Sequence, residues 1–219
     1  MPASRRQFLK SAAAISLGFS GLYRHIAWAA PGNPENRFGQ LITDPKGILD
    51  LPEGFNYKII STVGDPMDDG LRVPGNADGM AAFPGPDGRV LLIRNHELGP
   101  TEKAAGAFGE NNEWLHMIHK MDVYDWGHGT TPSLGGTSTL VYNMQRGVVE
   151  KEFLSLAGTA VNCAGGPTPW QSWITCEENT AQIDQVHQKA HGYNFEVPAS
   201  SKIGRAAPVP LRAMGRFKH

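Results

Sequence analysis

The stretch from Asn162 to Asn179 reads N-C-A-G-G-P-T-P-W-Q-S-W-I-T-C-E-E-N and holds both cysteines of the chain, Cys163 and Cys176, beside Glu177 and Glu178. Thiolates and carboxylates are the side chains that hold metals. Gly165 and Gly166, next to Cys163, give the backbone the freedom that a tight turn or a close approach to an ion requires. Two readings fit these residue types. The cysteines, thirteen positions apart, form one disulfide across a hairpin. Alternatively, Cys163 and one glutamate bind a redox-active or Lewis-acid metal.

Other groups of residues could add to such chemistry. Asn76-Ala77-Asp78-Gly79-Met80 sets an amide oxygen and a carboxylate two positions apart on a loop, a spacing that suits Ca²⁺ and equally a simple Asn/Asp/Gly turn. Arg94-Asn95-His96-Glu97 ends an apolar run with four functional side chains. They could supply oxygen ligands and a cation for a phosphate or carboxylate, or be a solvated strand end. His116 with His119, and His187 with His191, have helical spacing, but no H-E-x-x-H pattern accompanies them, so both pairs are read as surface polar residues. Neither a G-x-S-x-G elbow nor a P-loop occurs, so the serine-hydrolase and P-loop NTPase readings find no support.

The elements that must position these residues are short. The chain carries 26 Gly and 16 Pro in 219 residues, a density that marks many turns and few long helices. Phe55–Ile60, Gly79–Phe83, Arg89–Arg94, Gly136–Tyr142, Val148–Leu156, Trp170–Thr175 and Gly192–Val197 read as strands. Pro84-Gly85-Pro86-Asp87-Gly88 is a turn by composition and joins two of them as a hairpin. Glu110–Lys120 holds a short helical turn or a loop. Sustained 3.6-residue apolar periodicity is absent from every window. The fold class is therefore all-β. Strand pairs recurring at roughly 40 to 50 residues fit the blades of a β-propeller.

The N-terminus predicts where the protein works. Ser4-Arg5-Arg6-Gln7-Phe8-Leu9-Lys10 fits the twin-arginine export pattern, with Arg5 and Arg6 as its signal pair. A moderately apolar stretch follows to about Ile26, too short and too interrupted for a membrane span. Ala27-Trp28-Ala29 is an A-x-A cleavage site, cut after Ala29. Residues 1–29 are then a signal peptide, 30–50 a lead-in segment and 51–219 the folded domain. The expected location is periplasmic or secreted, with the twin-arginine translocase as partner during export and no stable membrane anchor. That route carries folded proteins with cofactors in place. The periplasm also permits disulfides, so both readings of the cysteines survive. A net charge of −1 points away from nucleic acid.

Taken in order, these motifs resemble one family. The export signal, L-P-x-G-F at Leu51–Phe55, N-A-D-G-M at Asn76–Met80, R-N-H-E at Arg94–Glu97, G-G-T-S-T-L-V-Y at Gly135–Tyr142 and the long run from Ser155 to Glu178 are similar to the PhoX-type alkaline phosphatases. The resemblance implies an exported six-bladed β-propeller that hydrolyses phosphate monoesters with iron (Fe³⁺) and calcium. It implies that Cys163 and one glutamate, Glu178 in preference to Glu177, hold iron. It implies oxygen ligation of calcium around Glu97, with Asn95 and Asn162 as further candidates; Arg94, by its place at the strand end, is the candidate cation for the substrate. If Cys163 is a ligand, Cys176 is a buried strand residue or a group behind the ligands. Family members are far longer, and Met214–His219 resembles the start of a further motif, so the expectation is an incomplete N-terminal part of the ring. The competing class is a non-catalytic, calcium-stabilised exported β-protein that binds or supports a partner.

Overall fold

The computed structural model describes residues 38–218. The expected signal segment, with Arg5, Arg6 and Ala29, lies outside the described residues. The chain divides into two compact units, split between Lys58 and Ile59.

In the first unit β1 (Leu41–Ile42) pairs antiparallel with β2 (Leu51–Pro52). The Asp44 carboxylate closes the loop between them. It accepts from the backbone N–H groups of Lys46, Ile48 and Leu49 and from the Tyr57 hydroxyl at 2.6 Å. The alternating run Phe55–Ile60 forms no strand. Phe55, Ile59 and Ile60 are exposed, so the pattern has no apolar surface to pack against.

The second unit holds two antiparallel sheets. β3 (Ala77–Pro84), β4 (Arg89–His96), β5 (Gly135–Asn143) and β6 (Val148–Thr159) form a four-stranded sheet in chain order. β7 (Asn162–Pro167), β8 (Ser172–Glu177) and β9 (Asn194–Pro198) form a three-stranded sheet, again in chain order. The predicted turn between β3 and β4 is present and contains a short 3₁₀ turn, Pro86–Gly88. Among the described residues helical structure is confined to such 3₁₀ turns, two of which, Leu115–Met117 and Lys120–Asp122, fall in or beside the predicted helical stretch. Among the described residues no helix is long and apolar enough to cross a membrane. The all-β expectation holds.

Strand alternation sends side chains to two cores. Leu91, Ile93, Val141 and Phe153 of the larger sheet meet Trp173, Phe195 and Val197 of the smaller one. Leu154 faces the other way, into a cluster with Met67, Leu71, Val73, Leu98 and Phe108 from the connecting segments. The larger sheet is thus covered on both faces, and each fully buried Leu, Ile or Phe contributes about 1.5–3 kcal/mol of transfer free energy. The β7–β8 hairpin lies close to β3 and β4, and this approach positions the site.

Candidate metal centre

Two β-bulges face each other. The β3–β4 register shifts between Ala77 and Met80, which leaves Asp78 and Gly79 out of the ladder. The β7–β8 register shifts between Asn162 and Gly165, which leaves Cys163 and Ala164 out. A bulge frees a residue from pairing and re-aims its side chain. Here the two bulges touch through Gly79, where an added Cβ would sit 2.6 Å from the Cys163 carbonyl oxygen. Only a residue without a side chain allows that approach.

Glu97 completes the group. It follows β4 directly, and its backbone is tied to Asn76: Glu97 N–H donates to Asn76 O at 2.8 Å, and Asn76 Nδ2 donates to Glu97 O at 3.1 Å. One ligand atom each from Asp78, Glu97 and Cys163 lies within 4.8 Å of the others. Asp78 is exposed and the other two are half-buried, so the group opens to solvent.

The electrostatics are those of anions crowded together. Burial, then the charge and hydrogen bond of Asp78, then Glu97 and Glu178, push the Cys163 thiol up to about 11. Burial and the neighbouring Asp78, Glu178 and Glu102 carboxylates likewise raise Glu97. Glu178 therefore belongs to the same field. Glu177 does not: its side chain is buried and turned to Ala160, His191, Gly192 and Tyr193.

Three expected site residues do other work. Asn95 is fully buried. Its Nδ2 donates to Cys163 O at 2.8 Å and Ala164 O at 3.0 Å, and its Oδ1 accepts from Trp173 Nε1 and the Thr175 hydroxyl, both at 2.8 Å. Both lone pairs of Oδ1 are used, which corrects the expectation of a ligand: Asn95 supplies donors to the carbonyls that the β7 bulge left unpaired. Asn162 is also fully buried, with Oδ1 accepting from Thr159 and Nδ2 donating to Thr175. It extends the network that holds the hairpin. Arg94 leaves the site altogether. Along β4, Asn95 and Glu97 project one way, and Arg94 and His96 the other. Arg94 pairs with Glu152 at 2.9 Å and donates to Ser61 and Ser138, whose hydroxyl also meets His96 Nε2. Its expected role as a substrate cation beside the cluster is corrected by this alternation.

Both cysteines are free, so the disulfide reading does not hold. Cys176 lies on the face of β8 opposite Trp173 and Thr175, the residues that meet Asn95. Gly165 makes room for Trp173 and Ile174, 2.4 and 2.3 Å from where its Cβ would be, not for an ion; Gly166 faces open space.

The surface reading holds for His116 and His119 and fails for His191, which is fully buried between Asp125 (3.0 Å) and Glu177 (2.7 Å). Burial works against its charge, yet the hydrogen bonds and charges of the two carboxylates raise it to about 9. Asp125 is held below the usual carboxylate range: burial pushes it up, and the His191 bond with three backbone N–H donors outweighs that. Asp125 gave no signal in the sequence. Asp78 gave one, the Asn/Asp spacing, and the structure makes it a full member of the cluster.

The profile of the family described as alkaline phosphatase PhoX matches residues 36–146 and 124–219. The chain belongs to the PhoX alkaline phosphatase family. Proteins of the PhoX family are metal-dependent, and the cluster at the two bulges is a group able to hold a metal. Among solved structures the chain is similar to Pseudomonas fluorescens PhoX in complex with vanadate, a transition state analogue. The identity is 18% and the TM-score 0.48; the match covers 77% of this chain and 43% of that PhoX chain, so this chain spans less than half its length. No curated protein matches the chain.

Proposed function

We propose that Cys163, Asp78, Glu97 and Glu178 form part of the metal centre of an exported phosphomonoesterase. The observation that carries this reading is the delivery of a thiol and two carboxylates to one point by two facing bulges and the end of β4 in a chain of a metal-dependent phosphatase family. The donors suit the metals. A thiolate with carboxylates matches ferric iron, and carboxylate oxygens on irregular backbone match calcium. The raised Cys163 and Glu97 groups carry the cost of crowded anions without a cation, which a bound cation reverses.

When bound, such ions neutralise charge on the transferring phosphoryl group and lower the pKa of an oxygen nucleophile. The chain's own residues prepare for this. Cys163 gives up its thiol proton on metal binding. Asn95 fixes the carbonyls of Cys163 and Ala164, so the thiol is presented in one orientation. Asn76 anchors the Glu97 backbone. The substrates in this reading are small phosphate esters.

The two meanders are then successive propeller blades: four strands in β3–β6 and three in β7–β9. Export by the twin-arginine translocase to the periplasm belongs to the same proposal, motivated by Arg5 and Arg6 and tested by Arg5→Lys with Arg6→Lys, which abolishes export. The test of the centre is metal content with hydrolysis of an aryl phosphate. Stoichiometric iron and calcium, with iron and activity lost in Cys163→Ala, support the phosphatase. Calcium without iron, and no turnover, supports the binding or structural protein instead.

A further inference from the structure

A cavity with mixed polar and apolar walls lies away from the cluster. It occupies about 220 Å³ between the β5–β6 pair and the segment after β9, with Thr139, Phe153, Val197, Lys202 and Arg205 among its walls. It shares no residue with Asp78, Glu97, Cys163 or Glu178. A water's share of liquid volume is ~30 Å³, so the cavity takes several waters or one small polyatomic ion.

Two polar atoms of its wall residues are orphans. Thr139 is 1% exposed, and its hydroxyl has no hydrogen-bond partner. The Arg205 Nε is buried and unpartnered as well. Buried donors without partners are rare, and each calls for an occupant that the protein does not itself provide. Thr139 sits on β5 opposite Ile93 and Phe153, in a position that an apolar β-branched residue would fill without cost. A hydroxyl there is paid for only if something accepts or donates.

Charge decides what that something is. Arg205 ties one guanidinium nitrogen to Asp69 at 2.9 Å, which leaves its Nε edge without a partner. Lys202 adds a second cation at the wall, and Lys151 Nζ reaches Ser201 O beside it. The wall residues thus include two cations, Lys202 and Arg205, and no carboxylate; Asp69 meets Arg205 from outside the wall. Hydroxyl and N–H donors with surplus positive charge bind oxyanions.

We propose that this cavity is a site for a small tetrahedral oxyanion of phosphate size, separate from the metal centre. Because phosphate is also the product in the proposed reaction, the test must keep the two sites apart. Inorganic phosphate is titrated calorimetrically into metal-stripped Cys163→Ala protein, which lacks the proposed centre, and into the same protein carrying Thr139→Val or Lys202→Ala. The expected result is one phosphate site that persists in Cys163→Ala and weakens at least tenfold in each added variant. Lys202 is exposed, so its variant keeps the test decisive if Thr139→Val alters folding. No phosphate binding to the stripped protein, or binding that both variants leave unchanged, overturns the proposal and means that the cavity holds water only. Loss of metal binding in the wild type with this phosphate site intact would instead overturn the proposed centre alone.

Discussion

Cys163 is the residue on which the site turns, and its proton reports the state of the cluster. In the metal-free protein burial and three carboxylates hold the thiol at about 11, against 9.0 for an ordinary thiol. The folded state keeps this proton more tightly than the unfolded state does. Its contribution to stability is complete below pH 9 and is lost as pH rises through about 11. Thiolate absorbance of a Cys176→Ser variant should therefore rise near pH 11, and Asp78→Asn should move that rise downward by removing the second-largest cause. A titration near the ordinary value in both proteins would mean that the acids do not surround the thiol. Arg94 gives the complementary result. Removing it leaves Glu152 buried without its cation, at a cost of about 3–5 kcal/mol, while metal content stays unchanged because Arg94 on β4 and Glu152 on β6 lie on the face of the sheet away from the cluster. Denaturant unfolding and metal analysis of Arg94→Ala check both halves.

The bulges of β3 and β7 do at the level of elements what no single side chain does. Gly79 lets them touch, so Gly79→Ala forces a methyl group against the Cys163 carbonyl. A loss of about 1–3 kcal/mol and at least a tenfold fall in iron affinity are expected, measured by unfolding and by competition with a chelator. Gly166→Ala, on the same hairpin but facing open space, should stay within about 0.5 kcal/mol of wild type. Equal effects from both would show that the bulge contact is not what positions the thiol. This also explains what could be read in the chain. Strands β4, β5 and β6 were legible because Leu91, Ile93, Val141 and Phe153 recur on buried faces between clear turns. β7 was not, since Asn162-Cys163-Ala164-Gly165-Gly166-Pro167 has no apolar alternation and is held by Asn95 from another strand. Cys163, Glu97 and Glu178 were legible as chemistry, whereas the departure of Arg94 follows only from the register of β4. Asp78 looked equally like a turn residue because its partners are distant in sequence.

At the scale of the whole molecule the buried Asp125–His191–Glu177 triad joins the segment after Tyr124, the end of β8 and the approach to β9. His191 is raised from 6.5 to about 9, so it binds its proton more tightly when folded. That stabilisation, about 3 kcal/mol for a shift of this size, is present in full below pH 6.5 and is lost as pH rises through about 9. Urea midpoints should fall across that window, and His191→Gln should flatten the fall while lowering stability at pH 6. A wild-type midpoint constant from pH 6.5 to 9 would contradict the charged triad. In the proposed reading these sheets bring one thiol and its carboxylates to one point to hold iron, and that claim meets its most direct test in X-ray absorption at the iron edge. Measured on iron-loaded Cys176→Ser protein, the account predicts one sulfur among oxygen neighbours of the iron, absent after Cys163→Ala. Iron bound by oxygen and nitrogen alone, or sulfur that persists without Cys163, would contradict it.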